Sequence, residues 1–267
     1  MSAAEHRTGS EPSARELQII EASRHLAGCR VVVIGSGAAF AVAPLAKLTT
    51  AKDARFVLDS GAIDVRLRTA LVSVADPRMP EALRADSMSA VFQGLLQGGR
   101  VDASIMSAAQ IDATGNLNSS YLGKRDAPTR RFPGAGGAPA MVAGSSKVVI
   151  IVAHELRRFP EVCDYVTCPG PKSGRGRLRE LIVVTDRCVL RADHHDPRLR
   201  LLRLMPGETH KSIQERTGFA LNRAPGAPPE LPTVETPSPT VLSTLRETVD
   251  PDSLYRQQRK PPYDDPI

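Results

Sequence analysis

The residues best suited to chemistry are two carboxylates, one histidine and two glycine-rich turns. Asp59 ends the apolar run Arg55–Leu58 (RFVL) and is followed at once by Ser60 and Gly61. A carboxylate at the carboxyl end of a buried strand stands where open α/β sheets bind ligands. The small hydroxyl and the glycine beside it permit close backbone approach. The same three residues also suit a helix N-cap or an Asx turn, so local sequence leaves both readings open. Gly134, Gly136, Gly137 and Ala138 (GAGGA, with Ala135) precede the strongest apolar run of the chain. Such a run can present several amide N–H groups in one bend, enough to stabilise an oxyanion. The other reading is a flexible surface loop, disfavoured by the apolar residues on both sides. His154 and Glu155 end that apolar run. Glu155 is a candidate second carboxylate of an acid/base pair, and His154 a candidate proton carrier. Gly35 and Gly37, in Gly35-Ser36-Gly37, suit either a plain turn or a loop whose amides bind phosphate or carboxylate. A dinucleotide fingerprint is not complete there, because position 40 is Phe. His194-His195 lies in a polar turn-like segment and reads as surface.

These turns need strands and helices to hold them. Residues 30–34 (RVVVI) form a short β-branched run stopped by Gly35, and an Ala-rich helical stretch follows over 38–48. Arg55–Leu58, Val101–Met106, 147–153 (KVVIIVA) and 180–185 (ELIVVT) read as further strands. Residues 13–26 and 88–97 have helical spacing, with Ser13 and Glu16 spaced as a capping box. Strands alternating with helices and glycine turns predict an α/β fold with a largely parallel sheet flanked by helices. Residues 186–192 add an antiparallel return strand. The expected organisation is a disordered leader (1–13), one α/β domain (14–222), a Pro-rich linker (223–240) and a C-terminal helix and extended tail (241–267).

Composition narrows the function. The chain has 267 residues, 41% apolar and 24% charged, enough for a substantial core. Only 4% is aromatic, with no Trp, so small aliphatic residues must fill the interior. The net charge of +6 is scattered and lacks an aromatic-interleaved basic platform, so nucleic acid is not expected as a partner. The local basic stretch 172–179 reads as a solvated loop or as a meeting place for an anionic ligand. Cys29, Cys163, Cys168 and Cys188 do not form a disulfide framework or a zinc pattern; reduced thiols and no metal are expected. A polar N-terminus and the lack of a long apolar run argue against a signal peptide or membrane span, and a cytoplasmic protein is expected.

Taken in order, the motifs resemble the beta subunit of glutaconate-type class I CoA-transferases, from about residue 20 to residue 250. The carriers are Gly35-Ser-Gly37, VLDSG over 57–61, AQIDATGNLN over 109–118, RFPGAGGA over 131–138, HELRRF over 154–159 and DYVTCPG over 164–170. TGF over 217–219 and VDP over 249–251 match the family's closing motifs. The resemblance implies the class I CoA-transferase fold and an alpha-subunit partner in a heterotetramer or larger. It implies an active site at the subunit interface. It also implies a coenzyme A thioester as substrate, with a carboxylic acid as acceptor and no permanently bound cofactor. In the family a Glu in an E-S-G motif attacks the acyl-CoA thioester, giving an anhydride and then an enzyme–CoA thioester. Asp59 occupies that position, one methylene shorter. The resemblance therefore implies a CoA-transferase with Asp59 as nucleophile. The alternative is an acyl-CoA hydrolase, ring-cleaving hydrolase or decarboxylase of the same superfamily, in which Asp59 is a base, a water-positioner or idle. Ser60, Gly61, Gly35, Gly37 and the 134–138 run would then contact the substrate, with His154 and Glu155 in support.

Overall fold

The structure is a computed structural model that describes residues 11–65, 67–73, 82–171, 176–223, 226, 228 and 230–257. Most of the leader, the first half (172–175) of the basic stretch 172–179 and the end of the tail lie outside the described residues.

Helix α1 (Ala14–Arg24) starts as its sequence dictates. Ser13 Oγ accepts from Glu16 N at 3.2 Å, and the Glu16 carboxylate accepts from Ser13 N at 2.9 Å. Strand β1 (Val31–Ile34) leads through Gly35 to helix α2 (Ala39–Leu48) and then to β2 (Arg55–Leu58), β3 (Ala62–Val65) and β4 (Ala82–Ala85). A π-helical segment, Ala90–Gln97, precedes β5 (Val101–Met106). Two small antiparallel pairs follow, β6 (Gln110–Ile111) with β7 (Leu117–Asn118), and β8 (Tyr121–Lys124) with β9 (Ala127–Arg131). Helix α3 (Ala138–Gly144) feeds β10 (Ser145–Ile151), then β11 (Glu180–Val184), β12 (Cys188–Asp193) and β13 (Arg200–Leu204). Short helices α4 (His210–Gln214) and α5 (Pro239–Ser243) come last, with a π-helical turn, Thr244–Val249, after α5.

Among the described residues, nine strands make one sheet in the order β13-β12-β11-β10-β5-β1-β2-β3-β4. The five from β11 to β2 are parallel to their neighbours, and two antiparallel strands extend each edge. The mostly parallel α/β expectation therefore holds. Central strands buried on both faces explain why they read as continuous Val/Ile/Leu runs. Successive residues serve opposite faces: Val32 and Ile34 pack with α1, α2, Leu245 and Val249, while Val33 packs with Val91, Leu96, Met141 and Val142.

The chain leaves β1 towards β2 and later returns to its other side with β5, so the topology switches direction at β1. In open α/β sheets, ligands bind beyond the carboxyl ends of strands at such a switch. Pairing Ile34 with Leu58 and with Ile105 brings the ends of all three strands to one level.

Gln18 of α1 is fully buried, and its Nε2 donates to Val152 O (2.8 Å) and Val184 O (2.9 Å). It thereby satisfies two carbonyls at strand ends. At the other end of the chain, Arg246 reaches Glu16 through Nε (2.7 Å) and Nη2 (2.9 Å), and Arg256 Nη1 reaches it at 3.4 Å. Burial works against the charge of Glu16, but the Arg246 and Ser13 hydrogen bonds outweigh it and hold the carboxyl at about 2. Asp250, also buried, accepts from the backbone N–H groups of Leu254, Tyr255 and Arg256. In the region expected as a linker, Val234 is buried and donates from N to Leu204 O at 2.8 Å, and Leu204 N donates to Pro232 O. Among the described residues, no helix is long and apolar enough to cross a membrane.

Candidate active site

Asp59 follows the last residue of β2, with its neighbours Gly35 (after β1) and Ser107 (after β5) on adjacent strand ends. The turn that carries it is tightly specified. Gly61 has φ 114°, its N–H donates to Leu58 O at 3.1 Å, and its carbonyl accepts from Asp86 N at 2.9 Å. A Cβ on Gly61 would stand 2.0 Å from Asp86 O, so only glycine fits. This accounts for the glycine of Asp59-Ser60-Gly61 and fixes the direction in which the carboxylate leaves the strand.

Asp59 is half-buried, and burial raises its carboxyl above the ordinary value; the backbone N–H groups of Ser60 and Asp59 itself offset part of this. Asp59 Oδ1 and Ser60 Oγ are shielded from solvent and have no hydrogen-bond partner among the described residues. Buried polar atoms without partners are uncommon in native folds. Two adjacent ones beyond a strand end leave an acceptor and a hydroxyl available to a bound molecule.

The glycine run comes to the same place. Gly137 precedes α3, and a Cβ there would lie 3.6 Å from Asp59 Oδ2. Gly134 and Gly136 take φ values of 115° and 51°, with open space where a Cβ would stand. Ala138 opens α3 and packs, half-buried, on the core. On the other flank, Gly35 N donates to Ile105 O at 2.8 Å, and a Cβ on Gly35 would be 2.9 Å from Met106 Cβ. Gly37, at φ 81°, lies against the Ser107 hydroxyl. Gly35-Ser36-Gly37 is thus pressed onto β5, and its glycines are required by packing and conformation.

His154 and Glu155 are not brought to Asp59. They follow β10, and β10 is three inter-strand steps from β2, about 14 Å at the usual strand spacing of ~4.8 Å. The His154 ring is buried, stacks on Phe159 at 4.3 Å between centroids, and shares a 3.0 Å hydrogen bond between Nε2 and Thr217 Oγ1. Its Nδ1 lies 3.4 Å from Cys188 Sγ. Burial, with Arg187 and Arg216 nearby, lowers it to about 3, so the imidazole is neutral. Glu155 turns outward to Arg157 and Arg158; burial would push its carboxyl up, but these partners outweigh it and hold it below the ordinary value. His194 and His195 are exposed.

Cys163, Cys168 and Cys188 are buried, Cys29 is partly so, and all four are free. Burial pushes Cys168 and Cys188 up to about 12, which keeps both thiols protonated and poor nucleophiles. Among the described residues, no cluster of His, Cys, Asp and Glu is arranged to hold a metal.

Sequence reasoning missed Phe92, Asp86 and Ser107. Ser107 was accessible in principle, since it ends a strand beside the switch point. Nothing in AVFQGLLQ (90–97) marks Phe92, because its neighbour is set by helix packing.

The fold and the sequence both have known counterparts. A family profile described as Coenzyme A transferase matches residues 21–216. The B subunits of two CoA-transferases are similar over most of their length. That of glutaconate CoA-transferase from Acidaminococcus fermentans is 31% identical over 91% of this chain and 94% of its own length. That of 3-oxoadipate CoA-transferase from Pseudomonas knackmussii is 30% identical over 79% of this chain and 85% of its own. The crystal structure of glutaconate coenzyme A-transferase from Acidaminococcus fermentans superposes with a TM-score of 0.81 at 27% identity, covering 94% of this chain and 99% of the matched one. The decarboxylase AibA/AibB shares the fold at a TM-score of 0.78 and 24% identity, covering 91% of this chain and 97% of the matched one. With the fold and most of the length accounted for in this way, the chain belongs to the coenzyme A transferase family.

Proposed function

We propose that the chain is the beta subunit of a heteromeric acyl-CoA:carboxylate CoA-transferase in which Asp59 is the nucleophile. The observation that carries this is the strand-end carboxylate with an unpartnered oxygen, whose other oxygen lies 3.6 Å from where a Cβ on Gly137 would stand. A Cβ at Gly137 would press on Phe92 and touch that oxygen, and its absence suits a site where a thioester must lie against backbone. The matched relatives are named as B subunits of CoA-transferases, which supports an alpha-subunit partner and a site completed at the interface.

In this reading an Asp59 oxygen attacks the acyl-CoA carbonyl and CoA leaves as thiolate, giving an acyl–aspartyl anhydride. The thiolate then attacks the aspartyl carbonyl and releases the first carboxylic acid, leaving an aspartyl–CoA thioester. An incoming carboxylate reverses these two steps on a new acyl group, and Asp59 returns to its carboxylate. The open space over Gly134 and Gly136, in the run that ends at Gly137, supports room for the acyl and pantetheine chains there.

A second reading is favoured by the side chain itself. Asp is one methylene shorter than the family's Glu, and a displacement of ~1 Å at a reacting atom is costly. Asp59 would then serve as base or water-positioner in hydrolysis, carbon–carbon cleavage or decarboxylation. The test uses the complex formed by co-expression with its alpha subunit. After incubation with acyl-CoA, borohydride reduction or hydroxylamine cleavage followed by peptide mass spectrometry should mark Asp59. Asp59→Asn should lose at least ~100-fold, and Asp59→Glu should keep or raise transfer. Free CoA or a cleaved carbon skeleton without any adduct, and with no acceptor acid present, selects the second reading.

A further inference from the structure

Gly137 faces two groups at once. A Cβ built there would stand 2.8 Å from Phe92 Cζ, 3.0 Å from Phe92 Cε1 and 3.6 Å from Asp59 Oδ2. The edge of the Phe92 ring already fills part of the space that a Cβ on Gly137 would need, and the carboxylate lies in van der Waals reach of the same point. Seven residues on, Gly144 meets the same neighbouring helix: its Cβ would fall 2.7 Å from Leu96 O and 2.8 Å from Leu96 Cβ. Positions 137 and 144 are two turns apart on one face of α3, while Phe92 and Leu96 are about one turn apart on the π-helical segment. Glycine at both contacts lets the two helices approach closely. The ring is thus fixed by helix packing and does not ride on a loop.

We propose that Phe92 is a positioning residue that keeps water from the intermediates on Asp59, so that they pass to a carboxylic acid and are not hydrolysed. This rests on the transferase reading above. In the aspartyl–CoA thioester, transfer requires the acceptor carboxylate to form a C–O bond to the Asp59 carbonyl carbon as the C–S bond breaks. Water competes for the same carbon. Its attack forms the C–O bond, breaks the C–S bond, passes one proton to the CoA thiolate and one to solvent, and regenerates the Asp59 carboxylate. The enzyme is unchanged and the CoA is lost as free thiol. An aromatic edge packed on Gly137, whose other neighbour is the carboxylate, offers water no hydrogen bond and fills volume that water would otherwise occupy.

The test measures, in the complex with its alpha subunit, the ratio of free CoA released to new acyl-CoA formed at saturating acceptor acid. Phe92→Ala should raise that ratio by about tenfold or more, a rate change well within what one excluded water can account for. Phe92→Leu, which restores apolar bulk, should return it towards the parent value. If Phe92→Ala does not assemble, Phe92→Val withdraws the ring edge while keeping more of the packing and is read in the same way. A variant complex that still forms the thioester on Asp59 but divides it between water and acceptor as the parent does overturns the proposal. Absence of any Asp59 thioester in the unaltered complex sinks the transferase reading and this inference with it, which separates the two failures.

Discussion

Gly61→Ala tests the geometry of the site without touching its carboxylate. The new Cβ would be 2.0 Å from Asp86 O, and ordinary van der Waals contact begins at 3.4 Å, so the turn or its neighbour must move by about 1.4 Å. The neighbour cannot retreat freely, because Asp86 N is hydrogen-bonded to Gly61 O at 2.9 Å. The φ of 114° adds strain for any side chain, on the order of 1–3 kcal/mol. A displacement of that size beside the reacting atom should lower kcat by ~100-fold, equivalent to about 2.7 kcal/mol on the barrier. Thermal melting should fall by roughly 2–4 °C for each kcal/mol of strain retained in the fold. Turnover and melting are both measured on the purified complex. Gly28→Ala is the control: its φ is 76° and no heavy atom lies within 4 Å of its Cβ position, so it should lower stability and leave turnover alone. A Gly61→Ala complex that turns over within about threefold of the parent would refute the placement of the reacting carboxylate on this turn.

Two further outcomes follow from the buried carboxylates. Nucleophilic attack needs ionised Asp59, and burial raises its carboxyl, so the acid limb of the kcat profile should lie above the ordinary aspartate value; a limb at or below that value contradicts the assignment. Glu16 is held at about 2 against an ordinary 4.5, a difference worth about 3 kcal/mol of stability. Its folded-state value is depressed, so this contribution is present in full above about 4.5 and lost as pH falls through about 2. Acid unfolding followed by circular dichroism should shift in Glu16→Gln, and an unchanged acid midpoint would show that the Arg246 pairing adds nothing.

The sequence is most legible where one residue type has one physical use. Ser13 and Glu16 read as a capping box and form one, and the doubly buried strands β1, β5, β10 and β11 announce themselves as unbroken aliphatic runs. The return strand expected at 186–192 is the antiparallel β12. Legibility fails where spacing carries no trace of the third dimension. The stretch 107–131 yields two small antiparallel pairs; around the first, Asp112 accepts from Asn116 N and from Asn116 Nδ2, and Asn118 Nδ2 donates to Gln110 Oε1 and Tyr121 O; polar residues of this kind read only as loop. The proximity of Gly137 to Asp59 spans 78 positions and depends on α3 lying over the strand ends, which local periodicity does not encode. His154 illustrates the limit from the other side. A histidine at a strand end reads as a proton carrier, but only the fold shows Phe159, Thr217 and Cys188 closing around it.

The clamp between the two ends of the domain sets a timetable for biosynthesis. Glu16 and Arg246 are 230 residues apart in sequence, and Glu16 and Arg256 240 apart. At ~5–20 residues per second, a ribosome needs roughly 10–50 s to supply the cations for a carboxylate it made at the outset. For that interval α1 can cap itself through Ser13, but Glu16 cannot be buried without an unpaired charge. Helix α1 must therefore stay undocked, or docked and unsettled, until almost the last described residues emerge. A nascent chain stalled before Arg246 should be open to protease near α1, and chaperones that hold early apolar segments would find their substrate there.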